Sequence, residues 1–215
     1  MALELKNAGI QKGGRWLFRH TDCLIDTGEK VVITGPSGSG KSTLLKSMLL
    51  FEALDEGSLW YGEQQLDASN IASYRQNCAY IGQKAPGFEG TVKQFVTLPY
   101  TFRANRNHAP QPDEIRRLLL KFDFSPEIQA TQFDCLSGGE QQRMCIIQAL
   151  LLRRTILMLD EITSSLDAAN SARVIEEINQ LKGCTVIVVS HDIQWLQAGM
   201  RKLTLRDGAL FGREA

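Results

Sequence analysis

The sequence predicts an α/β fold: a parallel β-sheet covered by helices on both faces, a phosphate-binding loop at one strand end, and a helical insert. Three observations predict it. Short apolar runs (Val31–Thr34, Thr155–Leu159 and Cys184–Val189) alternate with helix-length segments. Strands buried on both faces read as such runs, whereas half-exposed strands alternate. The stretch Gly35–Thr43, GPSGSGKST, follows directly on the first run. The middle third, about residues 84–153, carries helical patterns in place of apolar strands.

In chain order, MALELKNAGI alternates with period two, and Leu17, Leu24 and Ile25 mark a second early strand. Val31–Thr34 is the buried strand before the loop, and Lys41–Phe51, built on LLKSMLL, is the helix after it. Strands follow around Ser58–Tyr61 and Cys78–Ile81. Lys84–Asn107 mixes Pro, Gly and aromatic residues with weak periodicity. Pro112–Phe122 is a helix with Ile115, Leu118 and Leu119 on one face, and Gly138–Leu152 is a longer one. Thr155–Leu159 is a strand, Ala168–Leu181 a helix and Cys184–Val189 a strand. One domain over residues 1–215 is expected, with its core and early strands in 1–83 and 154–215.

Composition narrows the class. The chain has 215 residues, 43% hydrophobic and 22% charged, an ordinary globular balance. Lys+Arg and Asp+Glu both number 24, so no basic excess suggests a nucleic-acid partner. Five scattered cysteines without a C-x-x-C pair read as buried or half-buried free thiols in a reducing compartment, not as a metal site. No apolar run approaches the ~20 residues a bilayer requires, and the N-terminus does not read as a signal peptide. A cytoplasmic protein is expected.

The loop carries the first chemistry. Gly35, Gly40, Lys41 and Ser42 satisfy G-x-x-x-x-G-K-[ST]. Its glycines let backbone N–H groups turn toward a phosphate, with Pro36, Ser37, Gly38, Ser39 and Thr43 completing the cradle. Lys41 adds a full charge, and the Ser42 hydroxyl suits the shell of a Mg²⁺ ion. The second signal is TILMLDE: Asp160 ends an apolar strand at the edge where such sheets place ligands. Asp160 can share the Mg²⁺ with Ser42, and Glu161 can accept a proton from, or orient, an attacking water. The third is LSGGE, in which Ser137 can cap a helix and Gly138 and Gly139 free amides for a second anion site. Two such sites on one chain suggest a head-to-tail pair that sandwiches each nucleotide; read alone, an N-capped helix explains the same residues.

GPSGSGKST, Gln83, LSGGE, ILMLDE, SSLD (Ser164–Asp167) and His191 stand in the order and spacing of ATP-binding-cassette (ABC) transporter ATPase subunits, and the resemblance covers almost the whole chain. It implies a P-loop NTPase (RecA-like) core with an antiparallel β subdomain and an inserted α-helical subdomain. It also implies hydrolysis of ATP with Mg²⁺, an ATP-dependent homodimer, and a membrane permease on a separate chain that holds the ATPase at the inner face of the membrane. Gln83 resembles the glutamine that links Mg²⁺ and water to the transporter. Ser137, Gly138 and Gly139 resemble the residues that contact the partner copy's γ-phosphate, and Asp167 the one that joins the two active sites. His191 resembles the histidine that contacts the γ-phosphate and Glu161. The family stacks adenine on an aromatic residue in the first strand turn; Trp16 is the nearest aromatic here, although Lys12 falls closer by ungapped alignment.

Compact size and the stretch YRQNCAYIGQKAPGFEGTVKQFVTLPY look most like small bacterial iron-export ATP-binding proteins, with lipoprotein-release and macrolide-export ATPases as the alternative. The chain ends 24 residues after His191, so a regulatory extension of the sugar-importer kind is not expected. A DNA-repair or chromosome-maintenance ATPase of this superfamily would need a long coiled coil between Lys41 and Leu136, which lie 95 positions apart without sustained heptads. A non-hydrolytic regulatory module would be expected to lack Glu161 or His191. The apolar set of Lys84–Arg106 has no stripe, so part of it should stay exposed, and by resemblance Phe88 and Tyr100 should line the groove that receives the permease.

Overall fold

In the computed structural model, which describes residues 1–212, the chain runs β1 (Leu3–Lys12), β2 (Arg15–Ile25), β3 (Lys30–Thr34), α1 (Lys41–Ser47), β4 (Glu56–Tyr61), β5 (Gln64–Leu66), α2 (Ile71–Arg75) and β6 (Cys78–Ile81). It continues through α3 (Val92–Thr97), α4 (Pro112–Lys121), α5 (Gly138–Leu151), β7 (Ile156–Asp160), α6 (Ala168–Asn179), β8 (Thr185–Val189), α7 (Gln194–Gln197), β9 (Arg201–Arg206) and β10 (Ala209–Gly212).

Two sheets result. The larger has the order β10-β9-β3-β8-β7-β6, parallel throughout except for the β9–β10 hairpin. The smaller is antiparallel, in the order β2-β1-β4-β5. Because side chains alternate along a strand, each strand of the larger sheet feeds two cores. Val31, Ile33, Ile156, Met158, Ile187 and Val189 pack with α1 and the small sheet. Val32, Ala79, Ile81, Leu157, Leu159 and Val186 pack with α3, α4, α5 and α6. This two-sided burial is why the strands read as unbroken apolar runs.

The first helix is shorter than its sequence suggests. LLKSMLL favours helix to Phe51, yet α1 closes at Ser47. Leu50 takes a left-handed φ of 49°, and its N–H bonds Ser47 O at 2.9 Å while Phe51 N–H bonds Lys46 O at 3.0 Å. This paired closure satisfies the terminal carbonyls, and a leucine takes the place usually held by glycine.

Between β6 and β7 the chain forms no strand of either sheet, only α3, α4, α5 and short 3₁₀ turns. The segment after Gln83 keeps part of its apolar set exposed, as expected, but not at Tyr100. Val92, Phe95 and Val96 point α3 into the core, and Tyr100 is itself buried. Phe88 is half-buried, edge-on to Phe95 at 5.4 Å and to Phe133 at 6.0 Å. Tyr100 therefore packs into the core and shows only an edge to the cleft it shares with Asn105 and His108; the exposed apolar residues here are Leu98 and Phe102. Among the cysteines, Cys135 is exposed where a buried or half-buried thiol was expected, and the other four are buried or half-buried. Among the described residues, no helix is long and apolar enough to cross a membrane.

Candidate functional site

The carboxyl ends of β3, β6, β7 and β8 gather one polar cluster. The loop after β3 approaches β9 so closely that a Cβ on Gly35, whose φ is 147°, would lie 2.1 Å from Leu205 O; only glycine fits there. Nothing lies within 4 Å of the corresponding position on Gly38, so that side of the loop is open for a phosphate. Lys41, buried at the start of α1, donates from Nζ to Gly35 O at 3.0 Å and Pro36 O at 2.8 Å. Burial lowers its pKa while Glu161 and Asp160 oppose the shift. The ammonium thus holds the loop in shape and carries its charge at the loop's mouth.

Asp160 closes β7 as a carboxylate only 3% exposed. Ser42 Oγ donates to its Oδ1 at 2.7 Å, and Tyr80 OH donates to its Oδ2 at 3.3 Å. Burial first, then the Asp160 charge, push the Tyr80 phenol up to about 12. Glu161 takes a left-handed φ of 50° as the chain leaves β7, and its N–H bonds Val189 O at 2.8 Å. Gln83 Nε2 donates to Glu161 Oε2 at 2.8 Å, and His191 Nε2 lies 3.6 Å from Oε1. Lys41, Ser42, Gln83, Asp160, Glu161 and His191, scattered over 150 positions of sequence, therefore meet at one sheet edge.

Hard oxygen donors suit Mg²⁺. Ser42 and Asp160 offer a hydroxyl and a carboxylate in direct contact beside a loop shaped for phosphate, and the Gln83 amide stands against the adjoining Glu161. The residues present fit the ion.

Ser137, Gly138, Gly139 and Asp167 lie apart from this cluster. Ser137 caps α5 in a reciprocal box with Glu140: its hydroxyl accepts from the Glu140 N–H, and its own N–H donates to Glu140 Oε2 at 2.8 Å. A Cβ at Gly138 would meet nothing, whereas one at Gly139 would lie 3.1 Å from Ser165 O. Asp167 caps α6, accepting from Asn170 N–H at 2.8 Å and Asn170 Nδ2 at 2.7 Å, and these donors hold its carboxyl below the usual range. Among the described residues, no hydrogen bond or ion pair joins Ser137–Gly139 to Gly35–Thr43.

Trp16 lies at a cleft of 310 Å³ whose far wall is Pro36–Ser39. Arg19 stacks its guanidinium 4.5 Å from the Trp16 ring centroid, and the ring edge rests on Gly9, where a Cβ would stand 2.9 Å away. Lys12 instead pairs with Glu52 at 2.9 Å. Sequence reasoning passed over Tyr80, although a tyrosine in the strand CAYI carries a polar tip that a buried position must satisfy.

A family model described as ABC transporter matches residues 18–164. The chain belongs to the ABC transporter family. It is similar to the "Probable iron export ATP-binding protein FetA" of Escherichia coli, at 32% identity over 96% of this chain and 92% of that protein. It is equally similar, at 32%, to the "Zinc import ATP-binding protein ZnuC" of a Ruegeria species, over 96% of this chain and 77% of that one. Among solved structures it matches a dimeric, post-hydrolysis ATP-binding cassette bound to ADP and phosphate, with a TM-score of 0.83 and 27% identity over 99% of both chains. The ABC chain described here shares that α/β cassette fold and is an ATP-hydrolysing transporter ATPase.

Proposed function

We propose that two copies of this chain close head-to-tail on ATP and drive a membrane permease carried on a separate chain. The observation that carries the reading is the incomplete site: one edge holds the loop, Asp160, Glu161 and His191, while the capped, solvent-facing Ser137–Gly138 start of α5 contacts none of it. A second copy would bring its own Ser137–Gly139 against the γ-phosphate held by Gly35–Thr43 of the first, with Asp167 at the junction. The dimeric cassette among the structural relatives supports this arrangement.

Within each site Lys41 and the loop amides bind the phosphates, and Glu161 orients the attacking water and accepts its proton. Gln83 holds one oxygen of the Glu161 carboxylate and His191 stands 3.6 Å from the other. Ser42, Asp160 and Gln83 would hold Mg²⁺, which when bound neutralises developing phosphate charge. Trp16 offers its ring to the adenine at the cleft facing the loop. Residues 1–83 and 154–212 make the nucleotide-binding body and about 84–153 the part that carries the Ser137 site. The cargo reading is metal-ion export, of iron, at the inner face of the membrane; it rests on the relative that matches nearly end to end. The zinc importer at the same identity favours metal import as the second reading.

Glu161→Gln keeps size and hydrogen bonding but removes the base. ATP binding should persist while turnover falls by at least ~10²-fold, and light scattering should show a dimer with ATP that Ser137→Arg abolishes. Near-normal turnover would remove Glu161 from the role, and an ATP-independent mass in all variants would refute the dimer.

A further inference from the structure

We propose that Tyr80 is a positioning residue for the cation site, its hydroxyl fixing the orientation of the Asp160 carboxylate that would share Mg²⁺ with Ser42. The inference rests on the metal reading given above and adds a residue to it.

The register of the sheet makes the contact possible. Tyr80 on β6 lies opposite Met158 on β7, and Asp160 stands two residues further on. Two residues of strand span ~6.6 Å, about the length of a tyrosine side chain, so its hydroxyl arrives where a phenylalanine or leucine would stop short. Alternation sends Ala79 and Ile81 into the core of the α5 side and turns Tyr80 to the opposite face, where α1 and its loop lie. The ring is steadied from outside. Phe51 meets it edge-on at 6.0 Å, and Arg75 lies 4.7 Å over the Phe51 ring. Arg75 in turn donates to Leu49 O at 2.8 Å and Leu50 O at 2.9 Å, so the closing turn of α1 and the Tyr80 ring are one packed unit.

The terminal torsion of an aspartate is broad, and Ser42 alone fixes one of its two oxygens. Tyr80 fixes the other, so the carboxylate is oriented before a cation arrives. Residues that orient a metal ligand typically change metal affinity by ~10–100-fold, and the 3.3 Å contact places Tyr80 at the lower end of that range.

The test titrates Mg²⁺ against binding of a fluorescent ATP analogue to the full chain. Tyr80→Phe keeps the ring against Phe51 and removes only the hydroxyl. The half-saturating Mg²⁺ concentration should rise ~10-fold, with unchanged nucleotide binding in EDTA and a melting temperature lowered by no more than the loss of one hydrogen bond. Tyr80→Leu should show the same Mg²⁺ loss together with a lower melting temperature. Wild-type Mg²⁺ dependence in Tyr80→Phe overturns the proposal, as does equal weakening with and without Mg²⁺. Asp160→Asn separates the two levels. If it keeps wild-type Mg²⁺ dependence, the metal reading of Ser42 and Asp160 fails and the role of Tyr80 fails with it; if it loses that dependence while Tyr80→Phe does not, only the positioning role falls.

Discussion

Glu161 concentrates chemistry and backbone strain at one position. Its side chain meets Gln83 and His191, and its main chain is left-handed at φ 50°. That conformation costs an L-residue ~1–2 kcal/mol, and it persists because the Glu161 N–H is held by Val189 O and its carbonyl by Ser164 Oγ. The expected consequence appears on substitution. Glu161→Gly and Glu161→Ala should both lose hydrolysis, but in urea denaturation the glycine variant should be the more stable by about 1 kcal/mol. Equal stabilities would mean that the left-handed turn carries no more strain than the ~0.4–1 kcal/mol that glycine's freer unfolded chain costs. The carboxylate was legible in TILMLDE, because an apolar strand ending in two acids is a chemical pattern. The backbone angle was not, since it is imposed by β8, which lies elsewhere in the sequence. Tyr80 escaped notice for the same reason: its partner Asp160 is 80 residues away and is found only through sheet register.

At the scale of elements, α1 and α5 show what local pattern does and does not encode. Ser137 with Glu140 three residues on is a capping signature, and α5 starts there. The end of α1 was invisible, because LLKSMLL favours helix throughout and the closing turn depends on Arg75 binding the freed carbonyls. The Glu140 carboxyl is held below its ordinary value of 4.5, chiefly by the Ser137 hydroxyl and then by the Ser137 N–H. A depressed folded pKa means that the contribution is fully present above the unfolded value and is lost as pH falls through the folded one. Replacing Glu140 by Gln keeps the box and removes only the charge, so it should cost about 0.3–1 kcal/mol at neutral pH. The gap from wild type should close as pH falls below the ordinary value of 4.5 through the depressed folded one. Urea melts of both proteins between pH 3 and 6 measure it; a gap independent of pH would show that ionised Glu140 adds nothing to the cap.

For the molecule as a whole, the larger sheet separates two cores and presents its carboxyl edge to the nucleotide. Sequence period revealed the central strands and the long helices, but not which of the aromatic residues after Gln83 face out. Tyr100 misled because Lys84–Arg106 lacks a stripe, while the buried set of α3 is too short to reveal one. For the permease proposed above, the exposed candidate contacts are Leu98 and Phe102, 38% and 60% exposed. Phe102→Asp should leave ATPase activity and melting temperature near wild type and reduce co-purification with the permease, whereas Tyr100→Asp should destabilise by at least ~2 kcal/mol through a buried charge. Unchanged co-purification in Phe102→Asp would move the docking surface elsewhere. The sheet order has a further consequence for biosynthesis. β3 lies between β8 and β9, and Lys30 pairs with Val186. At ~5–20 residues per second, a ribosome finishes β3 about 8–30 s before its neighbour β8 is complete, and longer before β9. Through that interval an apolar strand waits unpaired, while β1, β2 and β4 can already close their own sheet. The nascent chain thus carries an unpaired apolar strand, open to aggregation, while its nucleotide loop is complete in sequence but not yet anchored in the sheet.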